Sequence, residues 1–240
     1  MTAEIRTAAS GRKGATGLGF GSAVLTAVFA TASCAIGIAI PARSGPFCAN
    51  ACVAYPYTNV AAFIPVDYFW LFPTFLLAPI FVVLMACLHT YAADNRKIFS
   101  QIALSFAVVY AAVIAIDYFT QFTVVIPSLL SGETAGLALF TQYDPHGLFV
   151  ALESLGYLMM STAFLFAAGI FSGGRLEHAI RWLFVISFIL AIGAFAGLSW
   201  LRYDIVAFEV AILLINWITL IVSGVLLSVW FRRAGRFTST

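Results

Sequence analysis

The sequence predicts an all-α integral membrane protein, a bundle of six transmembrane helices forming one domain over residues 1–240. Three observations carry this. Of the 240 residues, 62% are hydrophobic and 9% charged, whereas a soluble domain carries about 25% charged residues, so there are too few charges to cover a water-facing surface. The apolar residues gather into six runs, each near or above the roughly 20 residues that a membrane helix needs. The Lys and Arg residues then alternate between crowded and nearly empty connections in step with those runs. Together these exclude a soluble globular enzyme, a disordered chain and a disulfide-rich secreted module. A net charge of +2 with 12 basic residues gives no footprint for nucleic acid.

The first span is expected over 18–40. Its apolar run exceeds the core of a signal peptide, and no clean small-residue cleavage site follows before Pro41, so it reads as a true span. The second begins between Ala61 and Val66 and ends near Tyr91 (62–91), punctuated by Pro65, Pro73 and Pro79. The third covers 98–126 and the fourth 148–171. The fifth, over 179–201, is loosened by Gly193 and Gly197, and the sixth covers 205–231. A membrane barrel would show alternating segments of about ten residues. These runs are longer and apolar on all sides, and without water every backbone group must pair within its own segment, which selects helix.

Orientation follows from the basic residues. With a cytoplasmic N-terminus, the inner side holds Arg6, Arg12, Lys13, Arg96, Lys97, Arg175, Arg181, Arg232, Arg233 and Arg236, and the outer side only Arg43 and Arg202. An even number of spans puts the C-terminus inside as well. The inner connections are short and basic. The outer ones are longer: one runs from Pro41 to Asn59, the other from Pro127 to Gly147. The second contains Ala135-Gly136-Leu137-Ala138-Leu139-Phe140, too short to span, which suits a re-entrant or interfacial helix before the fourth span.

Cys34 and Cys87 fall inside spans and read as small packing residues. Cys48 and Cys52 lie in the first outer loop, where a local disulfide and two free thiols both remain open. His89, His146 and His178 do not supply facing axial ligands for haem. No span holds a Lys for a retinal Schiff base, and no Walker A loop, dinucleotide fingerprint or Gly-x-Ser-x-Gly elbow is present. No metal and no cofactor are therefore expected. In Tyr143-Asp144-Pro145-His146-Gly147, Asp144 and Pro145 suit a helix start, and His146 is a candidate proton relay to Glu153.

The acids within the spans are the most informative residues. Asp67 opens the second span, Asp117 lies late in the third, and Glu153 and Glu209 lie early in the fourth and sixth, with Asp204 at the edge. All four intramembrane acids fall in the outer half, Glu153 about 9 Å deep at 1.5 Å per residue. A charged side chain at the bilayer centre costs about 2.5–3.5 kcal/mol, so such groups face the bundle interior and mark a site. Helical spacing gives each acid its neighbours: Trp70 near Asp67, Gln121 near Asp117, Tyr157 near Glu153, and Asn216 beyond Glu209, with Trp217 a further candidate substrate-binding residue. Tyr118, Phe122, Phe149 and Phe208 complete an acid-and-aromatic pocket in which Glu153, Asp117, Glu209 and Asp67 are the candidate catalytic groups. The plainer reading has the aromatics as an interfacial belt and the acids bonded across helices to Asn216, Gln121 and tyrosine hydroxyls.

A carboxyl group in an apolar site can stay protonated at neutral pH. It can then protonate an alkene or epoxide, while aromatic faces stabilise the cation that results. In size, helical character and its Asp117 with Glu153 or Glu209, the chain resembles the small membrane-bound terpene cyclases of fungi and actinobacteria, a family drawn with seven spans where six are counted here. That resemblance implies proton-initiated cyclisation or isomerisation, with Glu153 as proton donor and Asp117 as the second acid. The chain also resembles bacterial multi-pass proteins of no assigned activity, which implies the bacterial cytoplasmic membrane. The expected partners are the bilayer and a hydrophobic small molecule. Two other functions fit the same residues: a binder or proton-coupled transporter of a cationic amphiphile, and a membrane accessory protein without chemistry.

Overall fold

The computed structural model describes residues 2–200 and 202–237. The side chains of Arg6, Arg12, Lys13 and Arg236, and Leu201 at the expected end of the fifth span, lie outside what it describes. Among the described residues there are seven α-helices: α1 (Thr2–Ala39), α2 (Leu71–Tyr91), α3 (Lys97–Thr120), α4 (Ile126–Ser131), α5 (Leu148–Ala168), α6 (Arg175–Trp200) and α7 (Ile205–Phe237). Six stretches are long and apolar enough to cross a membrane: Gly14–Ala39, Val66–Tyr91, Asp94–Ser131, Leu148–Ala168, Arg175–Leu198 and Ile205–Gly235. In length and composition these helices are consistent with a multi-pass membrane protein.

The helix ends depart from the expected spans for identifiable reasons. Pro65 lacks an N–H, and the chain enters the second span through 3-10 turns at Thr58–Phe63 and Val66–Tyr68, so α2 begins only at Leu71. Pro73 falls in the first turn, where a missing donor is harmless, and Pro79 is the interior proline of α2. The third span outlasts Pro127. A π-turn at Gln121–Val125 carries α3 into α4, where Pro127 sits at the start, and Gly132 (φ 74°) ends the helix in the left-handed conformation. α5 stops at Ala168, short of Phe171. α6 starts at Arg175 because the Glu177 carboxylate accepts the Ser172 and Gly173 N–H groups at 2.9 and 2.6 Å and so caps the turn. The apolar piece in the second long loop makes a single 3-10 turn, Leu137–Phe140. Cys48 and Cys52 are joined in a disulfide, and Cys34 and Cys87 are free.

The long helices form a ring in chain order. α1 packs on α2, α2 on α3, α3 on α5, α5 on α6, α6 on α7, and α7 returns to α1, while α5 also touches α7. Phe81, Tyr110, Phe164 and Phe184 fill the middle, with Phe164 stacked on Phe184 at 4.6 Å and edge-on to Phe81 at 5.3 Å. The ring closes where α1 and α7 meet backbone to backbone. A Cβ added at Gly224 would lie 2.7 Å from both the Ala23 carbonyl oxygen and the Ala27 nitrogen. One end of the bundle carries the two long loops, around residues 40–57 and 132–147; the other carries the short ones.

Gly224→Ala is expected to cost about 1–3 kcal/mol by overpacking that seam. An added methyl at Gly193 meets open space, so Gly193→Ala is expected to raise stability by about 0.5–1 kcal/mol, the usual gain from replacing a helical glycine. Thermal unfolding of the two variants in detergent reads both signs.

Candidate functional site

A cavity of about 340 Å³ lies at the long-loop end, between the end of α1, the start of α2, α5 and α7. Of the residues singled out from the sequence, Asp67, Trp70, Phe149, Glu153, Glu209 and Trp217 line it. They arrive in pairs from three pieces of backbone, Trp70 coming just after Asp67. Asp67 sits in the 3-10 turn before α2, Phe149 and Glu153 in the first two turns of α5, and Glu209 and Trp217 on α7.

Glu153 is fully enclosed, 1% exposed, on the wall of the cavity. Its Oε1 accepts a hydrogen bond from the Tyr118 hydroxyl across the α3–α5 interface. Its Oε2 has no hydrogen-bond partner. Tyr118 is held by its ring, stacked on Phe149 at 5.9 Å and edge-on to Trp70 at 5.7 Å. Trp70 also stands edge-on to Phe149 and Trp217, at 6.2 and 6.3 Å. The Trp217 indole N–H donates to the Tyr157 hydroxyl at 3.2 Å. Tyr118 and Tyr157 therefore stand one layer back and fix the groups that form the wall.

Asp67 has a different environment. It is 2% exposed, and Arg43 meets it with Nε–H to Oδ2 at 3.0 Å and Nη2–H to Oδ1 at 3.4 Å. The guanidinium also covers the Phe63 ring at 3.9 Å. The Tyr143 hydroxyl donates to Asp67 Oδ2 at 3.1 Å. Burial first, then Tyr68 and Asp67, push the Tyr143 phenol above its ordinary pKa, so it remains a donor. Gln142 donates to the Asp67 carbonyl at 3.1 Å and accepts from the Trp70 indole at 3.2 Å. Ser44 donates to the Tyr143 carbonyl at 2.6 Å. This network ties both long loops to the start of α2. Arg43, Gln142 and Tyr143 all line the cavity, and the sequence reading did not single them out as site residues. The one signal was Arg43 itself, one of the two basic residues expected on the outer side.

The remaining candidates take other partners. Asp117 is buried, with Oδ2 unpartnered, outside the lining of the cavity. Gln121 donates to the Phe140 carbonyl at 2.7 Å, and Phe122 stacks on Phe72 at 4.6 Å. Asn216 accepts from Ser161 at 3.0 Å and donates to the Ile212 carbonyl at 2.9 Å. Phe208 packs near Phe195. His146 is exposed, its N–H held by Asp144 Oδ1 at 3.0 Å. Asp204 caps α7 by accepting the Ala207 N–H at 3.0 Å.

The balance of charge in the wall is uneven. Among the described residues that line the cavity, Arg43 is the one basic side chain, and Asp67 occupies it. Glu153 and Glu209 face the same space without a cation. Two carboxyl groups, one oriented by a phenol, among Trp70, Phe149 and Trp217 suit the donation of a proton and the stabilisation of a positive centre. Among the described residues, no group of three or more His, Cys, Asp and Glu is placed to hold a metal ion. Comparison with protein-family models, with curated proteins and with solved structures finds no match to this chain.

Arg43→Ala leaves the buried Asp67 carboxylate with Tyr143 as its side-chain donor and is expected to cost about 3–5 kcal/mol. Arg43→Met combined with Asp67→Leu removes both charges and is expected to recover most of that loss. Thermal unfolding of the single and double variants measures the difference.

Proposed function

We propose that the protein is a membrane enzyme that isomerises or cyclises a lipid-soluble, terpenoid-like substrate by proton donation from Glu153. The observation that carries this reading is the Glu153 carboxyl at the wall of an aromatic cavity, with Oε1 held by Tyr118 and Oε2 unpartnered. With Oε1 accepting from the phenol, the acidic proton belongs on Oε2. That proton and the π electrons of an alkene form a new C–H bond, leaving a carbocation on the substrate and a carboxylate on Glu153. Trp70, Phe149 and Trp217 line the same cavity, and aromatic rings there stabilise the cation. Loss of a proton from the neighbouring carbon to Glu209, and its return to Glu153, restores the enzyme and gives a product isomeric with the substrate. Glu209 takes the accepting role here because it lines the cavity and Asp117 does not. Asp67 serves through its pair with Arg43, as a group that positions the loops.

The ten-to-two bias of Lys and Arg supports cytoplasmic termini, with the cavity in the outer half of the bacterial cytoplasmic membrane. A second reading, a binder or proton-coupled carrier of a cationic amphiphile, draws support from the two carboxyl groups that no cation in the wall neutralises.

Mass spectrometry of lipids extracted from membranes fed prenylated and epoxidised compounds separates the two. The wild type is expected to convert one of them to an isomer, Glu153→Gln to lower that rate by about 10²–10⁴-fold, and Tyr118→Phe by about tenfold. Unchanged lipids, with one compound co-purifying with the wild type and absent from Glu153→Gln, would replace catalysis by binding or transport.

A further inference from the structure

We infer that the cavity is filled sideways, through the gap between the long-loop ends of α1 and α7, by a molecule whose apolar chain stays in that gap while its reactive end reaches Glu153. This rests on reading the cavity as a substrate site and adds to it a route and a substrate shape.

The roof and the side of the cavity differ in kind. The roof is the polar network: Asp67 and Tyr143 are 2% and 4% exposed, and the Ser44–Tyr143 bond joins one long loop to the other, while beside it Phe47, in the loop that follows α1, lines the cavity and is 64% exposed. The side is apolar and open. Ile38 on α1 and Val210 and Leu214 on α7 line the cavity and are 71%, 38% and 41% exposed. In helices that are apolar enough to cross a membrane, exposed apolar side chains face hydrocarbon. An opening rimmed by them faces lipid.

The volume sets the shape of the ligand. Ligand cavities run from about 300 to 1,000 Å³, and this one, at about 340 Å³, is near the lower limit. A long-chain molecule does not fit inside whole. Its reactive end occupies the cavity and the rest of the chain lies along the exposed rim.

Gly37 forms the sill of the opening. It lines the cavity, and a Cβ there would stand 3.1 Å from the Trp217 ring. Any side chain at 37 therefore either fills the opening or displaces an aromatic wall. Deeper in the bundle α1 and α7 are already in backbone contact at Gly224, so the gap ends at a fixed point and the chain cannot slide on toward the short-loop end.

The test uses the full chain in lipid vesicles with a prenyl alcohol carrying a photoreactive diazirine at its hydroxyl end or at its tail. Adducts are mapped by mass spectrometry. The hydroxyl-end probe is expected to label Trp70, Phe149 or Trp217, and the tail probe Ile38, Val210 or Leu214, both suppressed by unlabelled prenyl alcohol. Gly37→Leu is expected to reduce labelling of the cavity wall at least about tenfold, a loss of about 1.4 kcal/mol of binding. Ile38→Trp and Leu214→Trp, at exposed positions, narrow the gap without touching the core and are expected to act in the same direction. Glu153→Gln keeps its labelling, because access does not need the acid. Wall labelling that all three gap variants leave unchanged, or tail adducts confined to the long loops, would overturn the lateral route and leave the site standing. No suppressible labelling of the wall by either probe would overturn the site and the route together.

Discussion

A charge inside an apolar helix bundle stays only where a partner holds it, and the Arg43–Asp67 pair is where this protein meets that constraint most fully. Taking two ions out of water costs several kcal/mol each, and a pair repays this only with good geometry and further hydrogen bonds. Here the further bonds come from Tyr143 to the Asp67 carboxylate and from Gln142 to its backbone. The pair is thus the node at which residues from three separate stretches meet. An apolar pair of the same size would hold the helices equally well. It would not set the direction of the two loops that roof the cavity.

The four intramembrane acids are separated by their partners. Asp67 is neutralised by Arg43, and Glu153 is engaged on one oxygen by a phenol. Glu209 shares the cavity wall, and Asp117 is sealed away with one oxygen unpartnered. A buried carboxyl oxygen without a donor is costly. Asp117 and Tyr118 show how narrow the distinction is. They are consecutive, so a turn of about 100° about the α3 axis sends one side chain to Glu153 and leaves the other off the cavity.

The six runs, their order and the depth of the acids were legible because they are local: hydrophobic length and position along a helix are written in consecutive residues. Which way each side chain faces was only partly legible. The sequence reading put Trp70, Phe149 and Trp217 with the acids, and these do line the cavity, but it grouped Gln121, Phe122 and Asn216 with them, and those residues turn to Phe140, Phe72 and Ser161. Arg43, Gln142 and Tyr143 were not assigned to the site because their roles are pairings over 24 to 76 positions in loops, where no periodicity applies. The helix ends were missed for another reason. Hydropathy ends where charge begins, but backbone hydrogen bonding continues through Arg175 and past Arg232, and stops early before α2, where Pro65 supplies no donor.

Because the helices follow one another around the ring in chain order, the contacts between helices distant in sequence are those of α7 with α1 and with α5, and the cavity lies where these meet. Such a chain can assemble hairpin by hairpin as it emerges, with low contact order until the last step. Until α7 arrives, the inner flank of α1 waits uncovered and Glu153 faces an incomplete wall. The site is therefore complete only with α7 in place, since Glu209 and Trp217 of its wall lie on that helix.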